Sequence, residues 1–182
     1  MRELSLNVLD IAQNSIAAGA TVITISVQES TTDNRLSIGI GDNGCGMTAE
    51  QLQQVRDPFY TTRTTRRVGM GIPLFRMAAE MAGGSLTVDS TVGIGTQIQA
   101  NFELKNIDRM PLGDMVGTLS ALIRLNPQLD FVYRHEVDDR CFEADTRSFR
   151  EILGDVPLNE PDIMTWIEDY FSENIQTLDS QA

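Results

Sequence analysis

The stretch Asp42-Asn43-Gly44-Cys45-Gly46-Met47 stands directly after an apolar run, Leu36-Ser37-Ile38-Gly39-Ile40-Gly41. Leu36, Ile38 and Ile40 alternate with small residues, which predicts a half-buried β-strand. The strand ends in an acid set among glycines, which allow a sharp turn and a close backbone approach. A carboxylate held there can accept a directional hydrogen bond from a ligand amine, such as the exocyclic amine of adenine. The alternative is a tight turn that needs glycine and binds nothing.

The same region also matches the dinucleotide-binding pattern G-x-G-x-x-G, at residues 39–44. In that pattern the glycines open a long helix directly after the strand. Here Cys45-Gly46 interrupts such a helix. The next helix is predicted to begin at Thr48, where Gln51 completes a capping box. We therefore set the dinucleotide-binding interpretation aside.

The charge of the chain argues against nucleic acid as a partner. Its 182 residues include 14 basic and 26 acidic side chains, so the net charge is −12, whereas phosphate backbones need a basic face. No run is apolar enough to span a membrane, and no signal peptide is expected. The two cysteines, Cys45 and Cys141, suggest neither a disulfide framework nor a zinc site, so a reduced, cytoplasmic protein is expected. Cys45 is expected to be a small buried residue, and the alternative is a redox-sensitive thiol beside a bound ligand.

Two residue types that occur once restrict the chemistry further. Lys105 is the only lysine and no Gly-Lys-Ser/Thr occurs, which excludes a P-loop. His135 is the only histidine, which excludes a metal site that needs two. The acidic excess is concentrated towards the C-terminus, because residues 1–104 carry seven basic and ten acidic side chains, whereas residues 105–182 carry seven and sixteen.

The first predicted helix, at residues 2–18, carries a nonpolar and a polar stripe. The nonpolar stripe consists of Leu4, Val8, Ile11, Ala12 and Ser15, and the polar stripe of Glu3, Asn7, Asp10 and Asn14. Asp10 and Asn14 are one turn apart, with Cβ atoms about 5–6 Å from each other. This pair either faces water or lines a site, and the helix alone leaves both possibilities open.

A polar loop and a second glycine-rich stretch occupy the middle of the chain. Strands at 22–27 and 36–41 are predicted to form a hairpin, and a short helix follows at 48–54. The apolar residues of 57–67 follow neither the repeat of a helix nor that of a strand, and the stretch contains three arginines. They lead into Gly69-Met70-Gly71-Ile72, ahead of a helix that ends near Ala82. A glycine-flanked helix start is a natural anion site; the alternative is a glycine hinge before an ordinary helix.

The predicted fold class is α/β. Further strands at 86–88 and 98–104 alternate in the same way, and the two long helices can cover only one side of the resulting sheet. This arrangement is a two-layer α/β sandwich with an antiparallel or mixed sheet. The predicted organisation is a domain at 1–104, a linker at 105–113 and a small acidic α+β extension at 114–182. We interpret the extension as an interaction element, with its aromatic stripe serving as core or packing.

Four features now stand in one order along the chain. They are Asp10-x-x-x-Asn14, the turn at 42–47, Pro58-Phe59-Tyr60-Thr61-Thr62-Arg63 ahead of Gly69-Met70-Gly71, and Gly95-Thr96 opening the last strand of the first domain. Together they resemble the GHKL ATPase superfamily, which has the Bergerat ATP-binding fold and includes gyrase, heat-shock chaperone, histidine kinase and MutL-type ATPases. The first helix resembles the MutL type, and the loop with its second glycine box resembles the histidine-kinase catalytic domain more closely. The resemblance covers roughly residues 3–104.

The resemblance implies a role for each matching position. Asn14 would ligate Mg²⁺, and Asp10 would polarise the attacking nucleophile as the catalytic residue. Asp42 would accept the adenine amine. The remaining ATP-binding positions are those of the turn, the lid at 57–70, the second glycine box and the last strand: Gly44, Gly46, Met47, Thr61, Thr62, Arg63, Gly69, Met70, Gly71, Ile72 and Thr96.

Two departures from the family pattern bear on the reaction. The position of Asp10 is usually glutamate, and the shorter side chain predicts slow hydrolysis, since a displacement of about 1 Å can cost roughly a hundredfold in rate. Because the sequence starts almost at the first motif, we expect no helical hairpin with a phosphoacceptor histidine ahead of it, and His135 lies in a predicted strand. We therefore expect transfer to a separate protein rather than autophosphorylation.

Three functions stay open at this level. The first is a Mg²⁺-ATP-dependent kinase that acts on a regulatory protein partner, which the kinase-like lid favours. The second is an ATP-switched binding module that docks a partner through the lid or the acidic tail. The third is a slow ATPase coupled to assembly, and a homodimer is compatible with each of the three.

Overall fold

The computed structural model describes residues 3–57 and 70–182, and within them it has six helices and six strands. Their bounds are α1 Leu4–Ala17, β1 Val22–Ser30, β2 Arg35–Asp42, α2 Ala49–Arg56, α3 Gly71–Met81, β3 Ser85–Thr91, β4 Gly95–Glu103, α4 Met115–Leu125, β5 Asp130–Val137, β6 Arg140–Asp145, α5 Thr146–Leu153 and α6 Pro161–Gln176. Thr48 caps α2 and forms the expected capping box with Gln51. None of the helices in those two ranges is long and apolar enough to cross a membrane.

The described strands form one sheet in the order β3-β4-β2-β1-β5-β6. Neighbouring strands are antiparallel, except that β1 and β5 are parallel. β1 and β2 form the predicted hairpin. Asp42, at the end of β2, lies opposite Ile23 of β1 on one side and Thr96 of β4 on the other. The acid of the turn is therefore placed at the end of a central strand.

Helices cover one face of the sheet, as the burial along β1 shows. Ile23, Ile25 and Val27 are fully buried, whereas Thr24 and Gln28, at alternate positions, are exposed. This alternation follows from the two-residue repeat of a strand, which directs successive side chains to opposite faces. α1 and α3 pack on the sheet and on each other, and α4 packs against α1 and α6. The structure thus confirms the two-layer α/β sandwich.

Residues 114–182 add two strands to the sheet of the N-terminal part. β5 lies beside β1 with Val22 opposite Asp130 and Glu29 opposite Val137. The linker at 105–113 has no helix or strand and lies along the start of α1, where the carbonyl groups of Pro111 and Leu112 accept backbone hydrogen bonds. The strands on both sides of residues 105–113 belong to one continuous sheet. The division of the chain into a domain at 1–104 and an extension at 114–182 stays a prediction.

A buried polar group joins the C-terminal tail to the sheet. The side chains of Glu29 and His135 are fully buried, with Glu29 Oε1 and His135 Nε2 3.2 Å apart. The other ring nitrogen, Nδ1, lies 3.0 Å from the Tyr133 hydroxyl oxygen. Glu29 also accepts hydrogen bonds from the Ser180 hydroxyl at 2.5 Å and the Gln181 N–H at 2.9 Å. With both ring nitrogens engaged and no exposed surface, His135 fits a structural role.

Candidate functional site

The Asp42 carboxylate is held in a fixed direction by two donors. Ser15, buried on α1, donates its hydroxyl to Asp42 Oδ2 at 2.5 Å. The Gly44 N–H donates to Asp42 Oδ1 at 2.9 Å. Each carboxylate oxygen has two lone pairs, so each still has capacity for one donor from a ligand. The partly buried acid at the end of β2 is thus a preorganised acceptor.

The turn after Asp42 is tied to the loop between α1 and β1. Asn43 accepts hydrogen bonds from the N–H groups of Thr21 and Val22 at 2.9 and 3.0 Å. The Cys45 N–H donates to the Ala18 carbonyl at 2.9 Å. The Cys45 side chain is exposed, so the expectation of a buried residue is wrong. It is wrong because the turn uses the backbone of this residue and leaves its side chain in solvent.

Two glycines let this turn contact the β3–β4 hairpin backbone to backbone. Gly46 has φ of +69°, and a Cβ on it would lie 2.1 Å from the Thr91 carbonyl oxygen. Gly95 has φ of +140°, and a Cβ on it would lie 1.9 Å from the Asp42 carbonyl oxygen. No side chain fits at either position without a shift of backbone. Glycine is therefore a geometric requirement of this site.

We predict that Gly46→Ala lowers the free energy of unfolding by about 2–4 kcal/mol. Gly93→Ala is the matched control, since Gly93 has φ of +76° and open space around its Cβ position. The control bears only the left-handed backbone cost of about 1 kcal/mol. Urea unfolding measures both variants. Equal losses would show that the contact with Thr91 does not constrain the turn.

Thr96 is connected to the turn through Ser90. The two hydroxyl oxygens lie 2.9 Å apart, and Ser90 Oγ also accepts the Met47 N–H at 2.8 Å. The same Ser90 oxygen lies 3.0 Å from the Gly95 carbonyl, to which it can donate. Thr96 pairs with Asp42 in the β2–β4 register. A hydroxyl and a carboxylate thus lie side by side at the end of two strands.

These elements enclose an open cleft of about 270 Å³ between α1, the turn and the start of α3. It is lined by Ile11, Asn14, Ser15, Ala17, Ala18, Asp42, Gly46, Met47, Val55, Ile72, Thr96 and Ile98. Six residues expected to bind ATP are among them: Asn14, Asp42, Gly46, Met47, Ile72 and Thr96. Apolar walls with a few convergent polar groups are typical of small-molecule sites.

The first turn of α3 packs against the polar stripe of α1. A Cβ on Gly71 would lie 3.2 Å from the Cβ of Asp10 and 3.8 Å from Asn14 Nδ2. Met70 is the N-cap residue and is 72% exposed. The fold therefore brings Asp10 and Asn14 to the N-terminus of α3. The lid residues Thr61, Thr62, Arg63 and Gly69, also expected at the site, lie outside the described residues.

The side chains at this position are compatible with Mg²⁺. Among residues 3–57 and 70–182 there is no group of three or more His, Cys, Asp or Glu side chains that could enclose a metal. Mg²⁺ commonly takes one or two protein oxygens and completes its shell with phosphate oxygens and water. The Asn14 amide oxygen, at the edge of the cleft, is a suitable ligand of this kind.

Two residues that shape the site are absent from the expected set. Ser15 stands in the nonpolar stripe of α1, and the signals in the sequence are its polarity in that stripe and its place directly after Asn14. Ser90 has no local signal at all, because its contacts with Met47 and Thr96 form only when β3, β4 and the turn meet.

Comparison with known proteins identifies the family. Residues 1–106 match the family model described as histidine kinase-, DNA gyrase B-, and HSP90-like ATPase. A putative sensor protein of Shewanella frigidimarina is 32% identical over 109 residues, covering 59% of this chain and 17% of that protein. The sensor histidine kinase ZraS of Klebsiella oxytoca is 36% identical over 74 residues, covering 41% and 16%. Sporulation kinase C of Bacillus subtilis is 29% identical over 98 residues, covering 54% and 23%.

The chain thus spans less than a quarter of the length of each of these three relatives. A solved structure, the N-terminal domain of a DNA repair protein, superposes with a TM-score of 0.52 at 16% identity. The superposition covers 80% of this chain and 52% of the other. At this identity the likeness concerns the fold, and it extends beyond the residues that match the family model.

Proposed function

Because this chain belongs to the histidine kinase-, DNA gyrase B- and HSP90-like ATPase family, with a histidine-kinase-like ATP-binding domain, we propose that it uses Mg²⁺-ATP to phosphorylate a separate protein. The nucleotide would occupy the cleft between α1, the 42–47 turn and α3. The observation that carries the proposal is the Asp42 carboxylate, held by Ser15 and Gly44 with acceptor capacity to spare.

In this proposal the adenine ring enters beside Gly46, where the lack of a side chain leaves room. Asp42 accepts the exocyclic amine, and Thr96 assists through a water molecule. Met47 and Ile72 provide apolar surface on either side of the cleft. An amine donor facing an acceptor-only group explains a preference for adenine over bases that present a carbonyl at that position.

The phosphate end of ATP would lie at the contact between α1 and α3. α3 starts at Gly71, where the first N–H groups have no partner within the helix and the positive end of the dipole favours an anion. Gly71 has no side chain and is buried against Asp10, so it can approach the phosphates only with its backbone, and Met70 and Ile72 flank it. The lid residues Thr61, Thr62, Arg63 and Gly69 would close over this end.

Asn14 would hold Mg²⁺ through its amide oxygen. The metal supplies neutralisation of charge on the phosphate oxygens. Asp10, one turn earlier on α1, would accept the proton of the attacking hydroxyl as a general base. Its exposed position on α1 leaves it accessible to a protein substrate.

The acceptor in this proposal belongs to another protein. His135 is the only histidine in the sequence, and it is fully buried with both ring nitrogens in contact with other side chains. A phosphoryl group cannot reach it in the folded chain. The exposed and free thiols of Cys45 and Cys141 favour a reducing compartment, so we place the activity in the cytoplasm.

The second candidate is an ATP-switched binding module or slow ATPase without kinase activity. The observation that favours it is aspartate at position 10, whose reach is one methylene shorter than that of the glutamate usual in the family. Incubation with γ-labelled ATP and extracts of the source cells separates the candidates. Label on a partner supports the kinase, whereas free phosphate or retained ATP supports the alternative.

We predict that Asn14→Ala weakens ATP binding in the presence of Mg²⁺ by at least about tenfold, a loss of about 1.4 kcal/mol of binding free energy or more. The reason is the loss of the one amide oxygen assigned to the metal. Gln13→Ala, an exposed neighbour on α1, is the control and should bind as wild type. Affinity is measured with a fluorescent ATP analogue with and without chelator. A variant that retains the full Mg²⁺ dependence would remove Asn14 from the metal site.

A further inference from the structure

An aromatic cluster on α5 and α6 reaches the surface outside the region that matches the family model. Phe149 is buried beneath Trp166 and Tyr170, with ring centroids 5.3 and 5.6 Å away. Trp166 and Tyr170 stack at 5.5 Å with an interplanar angle of 18°. Trp166 is nevertheless 41% exposed. The cluster therefore presents a rigid aromatic surface supported from below.

Ile152 is a further exposed apolar side chain of this region, on α5. It is 75% exposed and lies three residues after Phe149, so the two side chains are neighbours on one helical face. We call Ile152, Trp166 and Tyr170 the α5–α6 patch. Rigid aromatic rings that are exposed on one side are typical anchors of protein interfaces, and contiguous exposed apolar groups mark interaction surfaces.

Exposed acidic side chains accompany the patch on both helices. Asp162 precedes Trp166 by four residues and Asp169 follows it by three, so both share its helical face. Glu173 is one turn further along α6, and Glu151 adjoins Ile152 on α5. None of these four acids takes part in an ion pair in the described part of the chain.

The basic side chains of α5 do not neutralise this border. Arg147 pairs with Asp145, and Arg150 pairs with Asp130. Exposed acids without an ion pair among the described residues thus accompany the apolar patch on both helices, which favours an occupant that brings positive charge together with apolar groups.

We propose that the α5–α6 patch docks a cationic amphipathic helix of a partner protein. Apolar side chains of that helix would cover Ile152 and Trp166, and its Lys and Arg side chains would face Asp162, Asp169 and Glu173. Asp169 lies two turns after Asp162, and Glu173 lies one turn after Asp169, so the three acids extend along about 16 Å of one face of α6, beside which a helix can lie.

Other occupants fit less well. Nucleic acid and anionic membranes are repelled by the same acids. A second copy placed symmetrically on the patch would bring like charges together across the interface. The inference concerns residues outside 1–106 and does not depend on whether the cleft binds ATP.

Trp166 is the only tryptophan, so its fluorescence reports directly on the patch. The full chain is titrated with three synthetic peptides of equal length: an amphipathic Leu/Lys helix, its composition-matched scramble without an apolar face, and an amphipathic Leu/Glu helix. We expect a saturable blue shift with the Leu/Lys helix alone, weakened several-fold when salt is raised to 1 M. Equal binding of the scramble, or no shift with any peptide, would overturn the proposal.

Matched variants locate the binding. Ile152→Ser and the double variant Asp162→Asn/Asp169→Asn should each weaken binding of the Leu/Lys helix about tenfold. Ile107→Ser and Asp108→Asn/Asp139→Asn alter exposed residues elsewhere and should bind as wild type. The altered side chains are all on the surface, so each variant should fold, and circular dichroism checks this. If the patch variants and the control variants weakened binding equally, the peptide would be binding through the overall negative charge of the chain, and the assignment to the α5–α6 patch would be refuted.

Discussion

Asp42→Asn is expected to weaken ATP binding at least about a hundredfold. The aspartate has two oxygens that both accept, one from the Ser15 hydroxyl and the other from the Gly44 N–H. Asparagine has a single acceptor oxygen and a new donor. Its NH₂ group must face the Ser15 hydroxyl, the Gly44 N–H or the adenine amine, and only the hydroxyl can turn to accept; a buried donor that meets another donor costs about 1–3 kcal/mol. Sites built around a substrate hydrogen bond lose selectivity by large factors when that bond is lost.

Displacement of a fluorescent ATP analogue measures the loss, and circular dichroism checks the fold. Glu50→Gln is the control, because Glu50 is an exposed acid on α2 that does not line the cleft. Ser15→Ala should give an intermediate loss, since it frees Asp42 on one side without removing its charge. Wild-type affinity in Asp42→Asn would mean that the base is recognised by other groups.

Glu29→Ala is expected to lower the free energy of unfolding by about 3–5 kcal/mol, the usual result of removing one partner of a buried pair. The fully buried Glu29 carboxylate contacts His135 and accepts from Ser180 and the Gln181 N–H. Its removal leaves those groups without an acceptor and frees the C-terminal tail. Urea unfolding measures the change, with Glu151→Ala as the control because Glu151 is exposed and forms no ion pair within residues 3–57 and 70–182. A loss below about 1 kcal/mol would show that the tail is held by other contacts.

The same carboxylate predicts a dependence of stability on pH. Burial raises the pKa of Glu29, but hydrogen bonds from His135, Ser180 and the Gln181 N–H lower it more, so the pKa lies below its ordinary value of 4.5. A folded-state pKa below the unfolded one stabilises the fold above pH 4.5, and this contribution is lost as pH falls through the folded value. The free energy of unfolding is measured at pH 6 and at pH 3 for the wild type and for Glu29→Gln, with a resolution of about 1 kcal/mol. We expect the variant to lose less stability between the two pH values than the wild type, because glutamine does not titrate.

The parts of the fold that the sequence predicts correctly rest on local signals. The α2 start follows from Thr48 and Gln51, which need only each other to form the capping box. The β1–β2 hairpin follows from alternation on both sides of a polar turn. These interactions act within a few residues, so a pattern in the chain is sufficient to reveal them.

The contacts that the sequence does not reveal span long separations. β5 pairs in parallel with β1, and α4 packs against α1, and no motif in the sequence indicates either contact. The Ser15–Asp42 hydrogen bond joins residues 27 positions apart. Ser15 is a site residue that the nonpolar stripe of α1 conceals, because a buried serine and a buried alanine fit the same helical pattern.

Calorimetric titration of ATP and of GTP into the wild-type chain with Mg²⁺ tests the central claim most directly. Adenine presents an amine where guanine presents a carbonyl, and Asp42 can only accept. We expect one ATP per chain with a dissociation constant in the micromolar range, and GTP at least about a hundredfold weaker. No heat with ATP, or equal affinity for both nucleotides, would contradict recognition of adenine by Asp42.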